Sequence, residues 1–256
     1  MSLRLMSAEL LKLRKRRGLV WWSLVLSVGI VSAVFAIIEI LHLSSPARHE
    51  AAGGMDGYQG SIIGLSLAGS IAAILIGSAA GTADVSTGVF RDLVATGRSR
   101  WALFAARIPG SLAFFVPVIT LGYIVIAACS VGLAGSEATP GVSLIVRGYG
   151  WILLATGFDL LLALGLSSLI GSRGTTIGVL IGYQFLGAPL LAQIALLGAA
   201  RQALFPGAIN RLAPIGVADQ GAPRLVHSDV VAVVVILCWV AAALGAGAWR
   251  TATRDA

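Results

Sequence analysis

The residue patterns that carry catalysis or nucleotide binding in proteins are missing from this 256-residue chain. It has no G-x-x-x-x-G-K-[ST] segment to cradle nucleotide phosphates, no H-E-x-x-H zinc pattern and no G-x-S-x-G nucleophile elbow. The histidines, His42, His49 and His227, lack the spacing of metal ligands, and no serine or cysteine has a base in register with it. We therefore expect no enzymatic activity in this chain, and no catalytic, metal or cofactor site.

Polar side chains inside long apolar stretches are the remaining candidates for chemistry. Asp159 lies in the middle of GFDLLLALGL, where a carboxylate in lipid costs a few kcal/mol. Two interpretations stay open: Asp159 and Gln184 line a transport pathway, or the Asp159 carboxyl is hydrogen-bonded between helices, for example to Thr156. Gln193 is nine residues from Gln184, so the two amides point to opposite faces and cannot share one pathway. Glu39 is expected near the lipid headgroups.

The composition predicts an all-α, polytopic membrane protein. Hydrophobic residues make up 57% of the chain, charged residues 11%, and the mean hydropathy is +0.93. A soluble domain has roughly 45–50% apolar and about 25% charged residues, which leaves this chain too little charge to cover a soluble surface. Its apolar residues form six blocks of about 20, the length that crosses a bilayer. We expect one transmembrane domain, residues 1–256, with spans at 19–41, 62–81, 108–133, 149–170, 175–198 and 229–249.

The distribution of cations predicts that both chain ends lie in the cytoplasm. Positively charged residues collect at the cytoplasmic ends of membrane spans. With the N terminus inside, 13 cations fall inside and the outer loops hold the other five: Arg48, Arg147, Arg201, Arg211 and Arg224. The net charge of +7 is thereby explained as a topology signal, and we expect no nucleic-acid partner.

Residues 3–17 predict an amphipathic helix that lies on the membrane surface. Leu3, Met6, Leu10 and Leu13 share one helical face, and basic residues form the other face and the end. Such a helix binds an anionic lipid leaflet. A cleaved signal peptide is the competing interpretation, but the apolar block after it is longer than a signal core and lacks a small-residue cleavage site.

The charged connection between the second and third spans is the most distinctive segment. Val85, Val89 and Leu93 recur at helical spacing within residues 84–100, among several arginines. A short helix that docks a partner protein fits this pattern, and so does an ordinary solvated loop with cytoplasmic charges.

Small residues mark one face of the fifth span. Gly174, Gly178 and Gly182 form a tandem G-x-x-x-G pattern, which lets helices approach closely in lipid. The pattern predicts contact with another span of the same chain or with a second copy of it. Pro189 is expected to kink this span. The tryptophans near span ends are expected at the membrane interface: Trp21, Trp22, Trp151 and Trp249.

The layout resembles the type-2 permease subunits of ATP-binding cassette exporters, the ABC-2 family. The likeness rests on the basic amphipathic start, the six spans and a local pattern after the second span. That pattern reads Asp84, Thr87-Gly88, Arg91, Leu93-Val94 and Gly97-Arg98-Ser99-Arg100. The chain departs from it in having Asp84 for the commoner Glu, an inverted Thr-Gly order and Gly97 where Pro is frequent.

The resemblance implies a division of labour. Residues 3–17 would be the elbow helix, and 84–100 the coupling segment that seats in a separate cytoplasmic ATPase, which would bind the ATP and Mg²⁺. Two permease copies, identical or related, would form the membrane part in a bacterial inner membrane and move an apolar or amphiphilic substrate outward. The outer connection 199–228 would contain short re-entrant helices. The implied ATPase-docking residues are Asp84, Thr87, Gly88, Arg91, Leu93, Arg98 and Arg100.

Two other functions remain open on the residues themselves. An ion-coupled secondary transporter would use Asp159 in a proton relay, with Glu39 as a second carboxylate. A membrane scaffold that works with other subunits is the third class, and no specific residue favours it.

Overall fold

The computed structural model describes residues 3–86, 97, 99–214 and 228–253, and all regular secondary structure in that part of the chain is helical. Eight helical segments are numbered here in chain order. They are α1 (Leu3–Arg14), α2 (Arg17–Ser44), α3 (Gly54–Ser86), α4 (Arg100–Gly132), α5 (Val142–Ile170), α6 (Arg173–Gln193), α7 (Phe205–Arg211) and α8 (Asp229–Thr253).

Six of these helices, α2 to α6 and α8, are long and apolar enough to cross a membrane, as predicted. Three of the described helices start seven or eight residues before the predicted spans, because α3 begins at Gly54, α4 at Arg100 and α5 at Val142. At 1.5 Å per residue, 33 residues span about 50 Å, which exceeds the roughly 30 Å hydrocarbon core. The polar ends of α3 and α4 therefore extend past the apolar blocks on which the prediction depended.

The spans run alternately up and down, so both ends of the described chain lie at the same end of the bundle. Contacts at that end join Lys12 of α1 to Asp84 near the end of α3, and Arg100 at the start of α4 to Ala252 near the end of α8. We call it the α1 end. The opposite end holds the connections 45–53 and 133–141, where the Gly53 amide donates to the Leu133 carbonyl at 3.0 Å.

The centre of the bundle is the pair α3 and α5, which are mostly buried, whereas less than a quarter of α2, α6 and α8 is buried. Close approach of α3 to α5 depends on glycine. A Cβ atom on Gly77 would lie 2.3 Å from the Leu160 carbonyl oxygen, and one on Gly81 would lie 2.0 Å from Ser167 Oγ. Only residues without a side chain fit at these two positions.

A second close contact joins α5 to α8. A Cβ on Gly165 would meet the Ala243 backbone at 2.4 Å, and one on Gly247 would meet the Gly165 carbonyl oxygen at 2.5 Å. The helices are therefore packed backbone to backbone, as small residues allow in lipid.

The glycine pattern singled out in the fifth span takes no part in this packing. An added Cβ at Gly174, Gly178 or Gly182 would meet no atom within 4 Å. The expectation that these glycines hold two spans of the same chain together is therefore wrong, and contact with a second copy stays a prediction. Sequence spacing could not separate the two cases, because the packed glycines Gly77 and Gly81 have the same four-residue spacing as the open ones.

Pro189 follows a local irregularity in α6. A π-helical turn at Tyr183–Gly187 precedes it, and the helix resumes at Ala188 and ends at Gln193, five residues before the predicted end. A 3₁₀ segment at Ala195–Ala203, interrupted at Gly198 with φ +47°, leads into α7. The described part of the outer connection thus consists of two short helical pieces.

The four tryptophans expected at the membrane interface differ in how much of each side chain is exposed. Trp21, Trp22 and Trp249 are 67%, 59% and 60% exposed on the protein surface, as expected for side chains at a lipid boundary. Trp151 is buried instead, and its indole nitrogen donates to the Ile209 carbonyl of α7 at 3.0 Å. The interface placement of Trp151 was wrong, because the fold-back of α7 covers it.

Substitution of the glycines tests this packing. Gly165→Ala is expected to destabilise the protein by about 1 to 3 kcal/mol, because the new methyl group overlaps the Ala243 backbone, which cannot rotate away. Gly178→Ala is the matched control on an open face. Thermal unfolding in detergent should show a lower Tm for the first variant only, and equal Tm values would contradict the packing.

Candidate functional site

A cluster of four charges, buried except for the partly exposed Lys12, lies at the α1 end. The Asp84 carboxylate accepts from Lys12 Nζ of α1 at 2.6 Å and from Arg107 Nη2 of α4 at 3.0 Å. Asp84 is 2% exposed and Arg107 1% exposed. Glu9 of α1 adds a second carboxylate, 2.6 Å from Lys12 Nζ. The cluster therefore holds two acids and two bases, which is the balance that buried charge requires.

Neighbouring carbonyl and hydroxyl groups complete the cluster. Arg107 Nη1 donates to the Gly81 carbonyl at 3.2 Å, and Ser168 of α5 donates to the same carbonyl at 3.3 Å. Gly81 thus serves twice, since its missing side chain admits α5 and its carbonyl binds both Arg107 and Ser168. Four helices, α1, α3, α4 and α5, meet at this point.

The cluster fixes Lys12 in its charged form. Burial alone lowers the pKa of Lys12, but the hydrogen bonds to Asp84 and Glu9 outweigh burial and raise it overall. Burial raises the pKa of Glu9 more than the hydrogen bond from Lys12 lowers it. The amphipathic helix α1 is therefore attached to the bundle by a lysine that stays charged at neutral pH.

These charges bracket the segment 84–100 that the sequence pointed to. Asp84 lies at its start, and the carboxylate faces the interior and binds Lys12 and Arg107 instead of facing a partner. Arg100 lies at its other end, where Nη1 donates to the Ala252 carbonyl of α8 at 3.1 Å. The other docking residues lie outside the described part of the chain: Thr87, Gly88, Arg91, Leu93 and Arg98. The structure thus shows how both ends of this segment are anchored.

A second polar site lies inside the bundle. A cavity of about 230 Å³ opens between α3, α5, α6 and α7, with Asp159 in its wall. The polar side chains that line it are Ser66 and Ser70 of α3, Asp159 of α5, Gln184 of α6 and Asn210 of α7. Its remaining wall is mostly apolar, which is the usual composition of a small-molecule pocket.

Asp159 is 1% exposed and has two partners across the helix contacts. Gln184 Nε2 donates to Asp159 Oδ2 at 3.3 Å, and Ser70 supplies a second side-chain hydrogen bond. The structure therefore brings together Asp159 and Gln184, the two residues predicted for a pathway. Thr156 is not the partner, because its hydroxyl donates to the Ile152 carbonyl of its own helix at 2.6 Å.

The fold-back of α7 closes one side of this cavity. Leu204, Pro206, Gly207 and Asn210 contribute to the lining, and Phe205 is 1% exposed. Phe205 packs against Phe158 and Tyr183 at ring-centroid distances of 4.9 and 5.2 Å. The sequence analysis missed Asn210. The Pro206-Gly207 pair indicates a turn, and the single amide that follows in an apolar stretch could have indicated a polar residue inside the protein.

The other polar groups considered from the sequence lie apart from both sites. Glu39 accepts a 3.4 Å hydrogen bond from the Ala52 amide at the end opposite α1, and Cys129 and Cys238 are free thiols. Within the described ranges, no group of three His, Cys, Asp or Glu side chains could hold a metal ion.

Comparison with known proteins does not place the chain in a family. No protein-family model, no curated protein and no solved structure matches it.

The buried charge cluster predicts a large difference between two arginines. Arg107→Ala leaves the buried Asp84 carboxylate with one cation fewer and is expected to cost about 3 to 5 kcal/mol of stability. Arg211→Ala is the control, because its ion pair with Asp229 is exposed and should contribute less than about 1 kcal/mol. Denaturation in detergent, followed by tryptophan fluorescence, compares the two, and similar losses would contradict a buried cluster.

Proposed function

We propose that this chain is the membrane subunit of an ATP-driven exporter and that a separate ATPase docks on its segment 84–100. The observation that carries the proposal is the charge cluster, which attaches α1, α3 and α4 to one another immediately beside that segment. Movement of the segment would therefore be transmitted directly to the end of α3 and the start of α4.

The orientation supports this assignment. The α1 end carries most of the cations of the described chain, among them the run Arg14–Arg17, and basic span ends face the cytoplasm. We place the α1 end in the cytoplasm of a bacterial cell, with α1 as an interfacial elbow helix on the inner leaflet. A cytoplasmic ATPase then has access to the segment, and ATP and Mg²⁺ would be bound by that partner.

The bundle offers a route from the docking segment to the interior cavity. Asp84 and Ser70 both belong to α3 and are 14 residues apart, about 21 Å along the helix. A tilt of α3 against α5 would change the cavity between Ser70, Asp159 and Gln184. The substrate suited to a small, mostly apolar cavity with a few polar groups is an apolar or amphiphilic molecule.

A second permease copy belongs to this proposal. The face of α6 that carries Gly174, Gly178 and Gly182 is open in the single chain, so it is available for close contact with another span. That copy is either identical or a related chain.

Loss of the docking segment tests the proposal. Deletion of 86–98 should abolish co-purification of a P-loop ATPase with the tagged chain, and Arg91→Glu or Arg98→Glu should weaken it by roughly tenfold, because like charges across an interface are costly. The readout is the amount of ATPase in the pull-down, measured by mass spectrometry.

Arg48→Glu, at the end opposite α1, is the matched control and should leave the ATPase yield unchanged. Each variant must reach the membrane in wild-type amount. Undiminished ATPase in the deletion variant would rule out docking on this segment.

Asp159 favours a second candidate function, a proton-coupled secondary transporter. A buried carboxylate in a cavity at the middle of the bundle is the arrangement found in proton relays. This function predicts uptake driven by a pH gradient alone, whereas the exporter requires ATP.

Everted membrane vesicles distinguish the two functions with ethidium as a fluorescent amphiphilic probe. A proton-coupled carrier should take up the dye when only a pH gradient is imposed, and Asp159→Asn should abolish this uptake while Asp56→Asn, an exposed control, retains it. Uptake that needs ATP and persists in Asp159→Asn would contradict the proton-coupled candidate.

A further inference from the structure

A cleft at the α1 end gathers three arginines: Arg16, which precedes α2, and the first residues of α2 and α6, Arg17 and Arg173. Its volume is about 540 Å³, and it lies between the start of α2, the start of α6 and the side of α3. The side chains that line it are Arg16, Arg17, Leu19, Trp22, Leu75 and Arg173.

The described residues around this cleft do not balance its charge. No acidic side chain lines it within the described ranges, and the guanidinium of Arg16 repels that of Arg173. Arg173 Nε is a buried nitrogen to which the described protein offers no hydrogen-bond partner. At the same end, Lys12 and Arg107 each bind a carboxylate. Arg107 Nε also lacks a hydrogen-bond partner, but the other two nitrogens of that guanidinium bind Asp84 and the Gly81 carbonyl. The contrast means that an anion from outside the described chain would relieve both the repulsion and the missing hydrogen bond.

The backbone adds to this preference for an anion. Arg17 and Arg173 are the first residues of α2 and α6, so the positive ends of both helix dipoles lie at the cleft. Topology alone would place arginines at these span ends, but it does not require that they converge on one cleft or bury a nitrogen there.

The lining also contains apolar surface. Trp22 is 59% exposed beside the arginines, while Leu19 and Leu75 form an apolar wall. A ligand that carries both a phosphate and acyl chains matches both parts, whereas a free anion would use only the arginines. Basic pockets between spans at the cytoplasmic face bind anionic lipid headgroups by the same physical means.

We propose that this cleft binds the phosphate of an anionic phospholipid, held by Arg16, Arg17 and Arg173 with an acyl chain against Trp22 and Leu75. Arg173 donates from its buried Nε, and the planar guanidinium groups suit bidentate contact with phosphate oxygens. The bound lipid joins α2 to α6, which both contact α3 and which are, together with α8, the least buried spans. This inference does not depend on the exporter assignment.

Native mass spectrometry of the purified full chain with equimolar phosphatidylglycerol and phosphatidylcholine of matched acyl chains tests the site. The wild-type chain should retain phosphatidylglycerol preferentially. The preference should fall about fivefold for each arginine removed in Arg16→Gln, Arg17→Gln and Arg173→Gln. The corresponding three Arg→Lys changes keep the charge and should retain part of the preference.

The control triple removes the same charge from the same end but outside the cleft: Arg14→Gln, Lys15→Gln and Arg250→Gln. This control variant should keep the wild-type preference for phosphatidylglycerol. If both triple variants lost this preference equally, the preference would come from diffuse electrostatic attraction, and the proposed site would be wrong. If the variant with all three cleft arginines replaced does not fold, the single variant Arg173→Gln tests the site. Addition of phosphatidylglycerol should raise the Tm of this variant less than it raises the Tm of the wild type.

Inorganic phosphate separates the lipid from a soluble anion. Phosphate in excess should leave bound phosphatidylglycerol in place, because it lacks the acyl chain. Displacement of the lipid at equal concentration would assign the cleft to a free phosphate anion and overturn the lipid proposal.

Discussion

The close contact between α3 and α5 holds both candidate sites in position. It exists because Gly77 and Gly81 present bare backbone to α5. At the α1 end, the Gly81 carbonyl accepts from Arg107 and from Ser168, which ties the charge cluster to α5. Further along the same two helices, α3 contributes polar side chains to the cavity that contains Asp159. A larger residue at Gly81 would therefore disturb the cluster directly and the cavity through the helix spacing.

Two sites at the α1 end use charge in opposite ways. The cluster around Asp84 is neutral overall and buried, so it gives stiffness at the junction of α1, α3 and α4. The cleft at Arg173 concentrates positive charge that the described residues leave uncompensated. A neutral cluster of this kind holds helices together, whereas uncompensated positive charge in a cleft favours the binding of an anion. The proposed ATPase docking and lipid binding follow from this difference.

Much of the architecture follows from the sequence for a simple reason. Six blocks of about 20 apolar residues have one stable form in lipid, because helices satisfy their own backbone hydrogen bonds. The amphipathic pattern at 3–17 likewise predicted α1, and the charges around 84–100 pointed to a segment whose start is anchored by the cluster and whose end is anchored by Arg100 to α8. The sequence predicted Asp159 and Gln184 as candidates because both are polar side chains in apolar spans. Their spacing did not predict the hydrogen bond between them.

The sequence by itself determined the number of spans, their alternation and the charge difference between the two ends, since these depend on local composition. Only the tertiary structure decided which glycines serve packing, that Asp84 turns inward to Lys12 and Arg107, and that α7 folds back to cover Trp151. These outcomes depend on which helix faces meet, and span helices that are apolar on all sides give no periodic signal for a particular face. The arginine cleft was also decided only by the tertiary structure, because Arg16 and Arg173 are 157 positions apart in the sequence and become neighbours only in the folded bundle.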